Sequence, residues 1–285
     1  MSALHRDQGR FAEALVAGRR ALEIVERVVG PDHPMTGWAV MNVAAVARDR
    51  GRTSDAEVLY RRALALFERR YGAEHPAAGW AHHGLAAVAR DAGRLDVAHG
   101  AATRALAIFE RAFPPRHAAV AGAHVGLAAV HRARAEAAKS ERLARHAIAI
   151  FTDTLGPRHP STAWARATAA GALREQGRLG DASAQYADAL AVIEAVHGPR
   201  HPALGVVLRG QAMIAALEAR PDDADRLFRR AIDIQASAHD PAHPELRRTV
   251  LAFTTHLRAT GRSGEADEIM ARGMRDAEAA SERYD

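Results

Sequence analysis

Residues Gly9–Asp49 read GRFAEALVAGRRALEIVERVVGPDHPMTGWAVMNVAAVARD, and from Gly51 the phrase begins again as GRTSDAEVLYRRALALFERRYGAEHP. GRLDVAHGAATRALAIFERAF follows from Gly93. Further copies start at Ala135, Gly177, Ala219 and Gly261, each 42 residues after the last, with nothing inserted or deleted. A fixed period of this length marks a solenoid, in which each unit buries its apolar face against its neighbours and there is no single central core. The 285 residues therefore read as one array. A half unit occupies 1–8, full units begin at 9, 51, 93, 135, 177 and 219, and a terminal capping helix covers about 261–285.

Each unit is predicted to hold two helices. The longer runs from about Phe11 to Val28, where Phe11, Ala14, Leu15, Gly18, Ala21, Leu22 and Val25 recur at spacings of three and four, the helical period. Alanine at 21, 63, 105, 147, 189 and 231 lets helix backbones approach, and the large neighbour (Leu22, Leu64, Leu106, Ile148, Leu190, Ile232) fills the space between layers. A loop such as Gly30-Pro31-Asp32-His33-Pro34 then recurs, with glycine suited to the helix C-terminus and proline to the first turn of the next helix. The third copy, Pro114-Pro115-Arg116-His117-Ala118, lacks both the glycine and the final proline, so a different joint is expected there. The shorter helix runs from about Pro34 to Arg50 and ends at a Gly-Arg turn, with Ala135 and Ala219 replacing the glycine twice. Pro221-Asp222-Asp223 reads as a helix start. The last helix, Ser263 to about Arg283, keeps Ala266 and Met274 but puts Asp276 in an otherwise apolar column, as an end cap requires. At the other end, Leu4, Arg6 and Asp7 fall in the columns of Val46, Arg48 and Asp49. They read as the last turns of a helix, either a shortened cap or a piece of a longer array.

Composition narrows the chemistry. Cysteine is absent, which excludes disulfides and thiolate metal sites and agrees with a cytoplasmic setting. No apolar run reaches 18 residues and the first residues lack a signal-peptide core, so no membrane partner is expected. The formal charge is +5, carried more by Arg than by Lys. Alanine and arginine enrichment is typical of a GC-rich bacterial genome.

Two antiparallel helices per unit, glycine at the tight turn and the GRx₃A start resemble tetratricopeptide repeats. The 42-residue period with its G-x-x-HP loop is similar to the kinesin light chain type, found also in bacterial proteins. The resemblance implies an all-α, right-handed superhelical solenoid whose shorter helices line a concave face that holds a partner's peptide or helix. It also implies asparagines on that face. Here only Asn42 stands in a column otherwise held by Gly84, Gly126, Thr168, Gly210 and Ala252. Carried over residue by residue, the candidate groove positions are Trp38, Met41, Asn42, Arg48, Trp80, His83, Arg90, Arg132, Trp164, Arg174 and Arg209.

Arginine is the most regular of these, at 6, 48, 90, 132, 174 and 258, with Ala216 the exception. Its planar fork of donors suits carboxylates or phosphates, or it pairs with Asp and Glu of an adjacent helix and joins layers. Trp38, Trp80 and Trp164 share one column; they either fill gaps between units or anchor a ligand. Of the 16 histidines, six form the loop column His33, His75, His117, His159, His201 and His243, which reads as structural rather than metal-binding. No nucleophile elbow, phosphate loop or dinucleotide fingerprint occurs, so no enzyme, cofactor or metal is expected. The leading reading is a non-catalytic scaffold or adaptor for an acidic peptide with an apolar anchor. The alternatives are a nucleic-acid binder, using Arg19, Arg20, Arg61, Arg62, Arg145, Arg229 and Arg230 of the longer helices, and a self-associating sensor module of a larger signalling protein.

Overall fold

The computed structural model describes residues 2–241 and 243–271. Helix α1 (Ser2–Asp7) is followed by six pairs. The first members are α2 (Phe11–Val29), α4 (Thr53–Tyr71), α6 (Leu95–Ala112), α8 (Ala137–Leu155), α10 (Leu179–His197) and α12 (Pro221–Ala236). The second members are α3 (Pro34–Asp49), α5 (Pro76–Asp91), α7 (Ala118–Ala133), α9 (Pro160–Glu175), α11 (Ala203–Leu217) and α13 (Pro244–Ala259). Residues 263–271 are helical, and no strand occurs among the described residues. The predicted boundaries hold to within a residue or so, and α12 starts at Pro221 as its Pro-Asp-Asp signal requires. Met274, Asp276 and the rest of the expected capping helix lie outside the described residues.

The core is a stack of small seams. Ala63, Ala105, Ala147, Ala189 and Ala231 are fully buried, and so are Phe67 and Phe109 beside them. The small side chains bring helix backbones together and the rings fill what remains. The same column in the first unit, Ala21, is exposed.

Each short helix begins in one way. In all six loops the histidine is the residue before the helix or one removed from it, and its Nδ1 accepts a hydrogen bond from the backbone N–H two residues on. The donors are Met35, Ala77, Ala119, Ser161, Ala203 and Glu245, at 3.1–3.2 Å. A side chain thus satisfies one of the four orphan donors of a helix start. The third joint, expected to differ, does so on one side only. Phe113 ends α6 at φ −128°, where the first, second, fourth and fifth joints have glycine near +90°, yet His117 caps α7 as its counterparts do.

Each short helix touches the next short helix, while no two long helices approach as closely. The short helices therefore lie on the inside of the curve. That curve returns on itself. A Cβ at Gly9 would stand 2.6 Å from Pro202 Cδ, and one at Gly51 would stand 2.8 Å from the Cα of His243. The offset to the loop histidine is 192 residues in both cases (201 − 9 and 243 − 51), about four and a half repeats. Around these contacts Arg50 Nη2 donates to Asp240 Oδ1 at 3.0 Å, and Arg52 lies 3.8 Å from the other oxygen. His239 Nδ1 is 2.8 Å from the Asp49 carbonyl oxygen, and its ring stacks on Phe11 and His243. Successive superhelical turns are thus in direct contact.

Candidate functional site

The inner face carries the arginine ladder. Arg6 pairs with Asp49, Arg48 Nε donates to Asp91 Oδ2 at 2.9 Å, and Arg132 Nη1 donates to Glu175 Oε1 at 3.1 Å. In each pair the acid lies 43 residues on, one layer along the array. Arg90 instead turns onto Asp91 Oδ1 of its own helix at 2.8 Å, and Arg174 onto Glu175 Oε1 at 3.2 Å. Arg258 reaches Asp267.

The second superhelical turn adds α13 to this surface. Glu245 sits 2.7 Å from Arg209 and 2.5 Å from Arg248, and Arg248 is 3.8 Å from Asp91. Burial pushes the Glu245 carboxyl up, but Arg209, Arg248 and Arg90 together hold it well below the usual carboxylate range. Asp91 behaves alike: burial raises it, and Arg48 with Arg90 carries it below. Burial opposes the charge on Arg48, while Asp91 and Asp49 more than compensate and raise its pKa. Units one, two, five and six thus share one ionic cluster.

The remaining expected positions divide by what they touch. Trp38 lies 5.0 Å from the Phe67 ring and is 46% exposed; Trp80 lies 4.8 Å from Phe109 and is half-buried. Trp164 packs against the core around Ile193 and Leu204. Each tryptophan therefore reaches its neighbouring layer. Met41 is half-buried between Val40, Ala63 and Tyr60. His83 lies over Gly126, where a Cβ would come within 2.8 Å of its ring. Burial, then Arg48 and Arg90, push its pKa down to about 4. The Asn42 side-chain oxygen is 2.8 Å from Ser2 Oγ.

Sequence reasoning missed why the asparagine column turns to glycine at 84 and 210. A Cβ at Gly84 would strike Tyr60, and one at Gly210 would strike Tyr186, at 2.3 and 2.2 Å. Where the long helix carries tyrosine, the facing short helix gives way. The signal was the shared spacing of 24 residues, Tyr60 to Gly84 and Tyr186 to Gly210.

The outer surface is different. Arg61 pairs with Glu57, Arg62 with Glu26, Arg145 with Glu141, Arg229 with Glu265 and Arg230 with Glu194. A shallow cleft of about 640 Å³ lies between Arg200 and the Arg226–Arg229–Arg230 face of α12, and those last three are among the paired residues. Among the described residues no group of three or more His, Cys, Asp or Glu is placed to hold a metal ion. No described helix is long and apolar enough to cross a membrane.

Comparison with solved structures returns the same architecture at low identity. A Rap protein complexed with competence and sporulation factor is matched with a TM-score of 0.77 and 13% identity, over 99% of this chain and 74% of that one. Aspartyl phosphate phosphatase F from Bacillus subtilis gives 0.68 and 12%, over 96% and 68%. A putative kinesin light chain with nearly identical repeats from Podosopora anserina gives 0.52 and 20%, over 72% and 97%. Among curated proteins none matches by sequence. The tetratricopeptide repeat family profile matches residues 1–69, 38–111, 119–195 and 169–237, most of the chain. With its helix pairs, its fixed period and this match, the chain belongs to the tetratricopeptide repeat family.

Proposed function

We propose that the protein is a non-catalytic adaptor that holds an acidic, extended segment or helix of a partner protein against its inner face. The observation that carries this reading is the guanidinium ladder on the short helices, set on the inside of the curve. Arginine presents fixed donors to carboxylates, and the half-exposed Trp38 and the exposed Leu217 offer apolar contact beside them. A preformed curved surface also reduces the ordering cost on its own side of the complex. We place the repeats in the kinesin light chain type on their 42-residue period, and the protein in a bacterial cytoplasm on its composition. The Rap protein complexed with competence and sporulation factor supports a bound partner by analogy of fold alone. The outer arginines are largely matched by carboxylates, the pattern of a solvated helix face rather than of a nucleic-acid footprint.

The test is recovery of partners from lysate by wild type, Trp80→Ala and Arg145→Glu, each first shown folded by circular dichroism. A protein retained by wild type and the outer-face variant but lost by Trp80→Ala supports the inner face. Loss in Arg145→Glu alone moves the site outward and overturns the reading.

Self-association is favoured by a separate observation. Ile24 is 44% exposed and Met35 55%, whereas Leu66 and Ala77, their counterparts one unit on, are buried by the layer before them. The first layer thus shows an exposed apolar face. If this face pairs copies, Met35→Lys will lower the mass measured by light scattering.

A further inference from the structure

The seam between superhelical turns is built on imidazoles. His239 and His243 lie in the loop between α12 and α13 and stack with ring centroids 3.7 Å apart and planes at 11°. His239 also stacks on Phe11 of the first unit, at 5.4 Å and 13°, and its Nδ1 is 2.8 Å from the Asp49 carbonyl oxygen. The backbone of His243 lies against Gly51, and its Nδ1 accepts the Glu245 N–H that starts α13. His243 is buried and His239 half-buried. Phe11, Asp49 and Gly51 belong to units one and two. Their contacts with the histidines of the sixth unit exist only while the turns are closed.

An imidazolium formed here finds no free counter-ion among the carboxylates around it. Asp49 pairs with Arg6, Asp91 with Arg48 and Arg90, Asp240 with Arg50 and, at 3.8 Å, Arg52, and Glu245 with Arg209 and Arg248. Burial lowers the pKa of His239 and outweighs the attraction of Asp49, Glu245 and Asp240. Burial, then His239, lowers His243 to about 4 against the pull of Glu245 and Asp91, and Arg48 adds repulsion. A proton on His243 Nδ1 also removes the lone pair that caps α13. We propose that the stacked His239 and His243 form a proton-operated latch, which when neutral holds the sixth unit against the first two and when protonated lets the superhelix open with its helix pairs intact. Released from the seam, both rings are solvated and titrate near the ordinary histidine value, about 6.5. The closed form therefore keeps its full advantage above about pH 6.5 and loses it as pH falls. Each histidine shifts the equilibrium by up to about tenfold per pH unit, and the two together by up to about a hundredfold. Asp91 and Glu245, held below the usual carboxylate range, stay ionised through that window.

Small-angle scattering and circular dichroism recorded together from pH 8 to pH 5, at fixed ionic strength, test the latch in wild type, His239→Phe and His243→Asn. His239→Phe keeps a ring to stack on Phe11 but takes no proton, and His243→Asn keeps a capping acceptor. Wild type is expected to gain radius of gyration between pH 6.5 and 5 with unchanged helical signal. Each variant should expand more gradually, with one titrating group instead of two. A second reading uses the absence of cysteine from the chain. Spin labels on Glu13→Cys and Ala236→Cys, both at exposed positions, report the distance across the seam in the presence of both histidines, and this distance should lengthen over the same window. Constant scattering and label distance down to pH 5 overturn the latch. So does expansion that follows the same pH curve in wild type and both variants, or expansion accompanied by loss of helical signal.

Discussion

The loop histidines do their work through one nitrogen. In each cap Nδ1 accepts a backbone N–H, so the proton sits on Nε2 and the ring must be neutral. His239 has the opposite tautomer, since its Nδ1 faces a carbonyl and must donate. Burial, then the neighbouring His239, hold His243 at about 4, and burial, then His146, do the same for His124. His83 is likewise near 4. An unfolded histidine titrates near 6.5, so on acidification the unfolded chain takes up protons first. The contribution of these groups is complete above about pH 6.5 and is lost as pH falls toward 4. The melting temperature is accordingly expected to be flat above neutrality and to fall through that window. His243→Asn, which keeps a capping acceptor and removes a titrating ring, should make the fall shallower. A slope identical to wild type would refute the assignment.

At the level of the element, the turn between paired units takes a left-handed residue. Gly51 has φ +87° and lies under the backbone of His243, whereas Gly93 has φ +76° with nothing within 4 Å of a Cβ. Ala135 and Ala219 hold φ of 60° and 55°, a conformation that costs an L-residue roughly 1–2 kcal/mol. Ala135→Gly and Ala219→Gly should each raise stability by about 1 kcal/mol in chemical denaturation. Gly93→Ala should cost a similar amount, and Gly51→Ala should cost more because backbone must also move. Helix positions, caps and alanine seams were legible because they depend on neighbours within one period. The tyrosine–glycine pairs were legible only in principle, as a 24-residue spacing between the two helices of one unit, seen in two of the six units. The arginine ladder was visible as a column, but which arginines lacked an acid required the next layer. The contact of Gly51 with His243 left no local trace, since its partner lies more than four repeats away and glycine was already demanded by the turn.

On the scale of the whole molecule, pitch decides what the inner face can do. The return of the chain after about four and a half repeats sets Arg50 and Arg52 against Asp240 and the start of α13 against Asp91. Asp240→Lys places three cations together and should open the superhelix. Small-angle scattering is expected to show a larger radius of gyration and maximum dimension with unchanged helical content, and identical scattering curves would show that this contact does not hold the turns together. Moderate salt should act in the same direction, because these pairs are partly solvent-exposed and screened within about 8–10 Å. An open stack of repeats behaves as a linear nearest-neighbour system whose end units unravel one at a time at little cost to the rest. Contact between Gly51 and His243 makes that line cyclic. Opening the sixth unit must also release its contacts with the second, so units far apart along the chain share one unfolding event. Hydrogen exchange at the C-terminal turn of α3 would then report the loss of Asp240, 190 residues away along the chain.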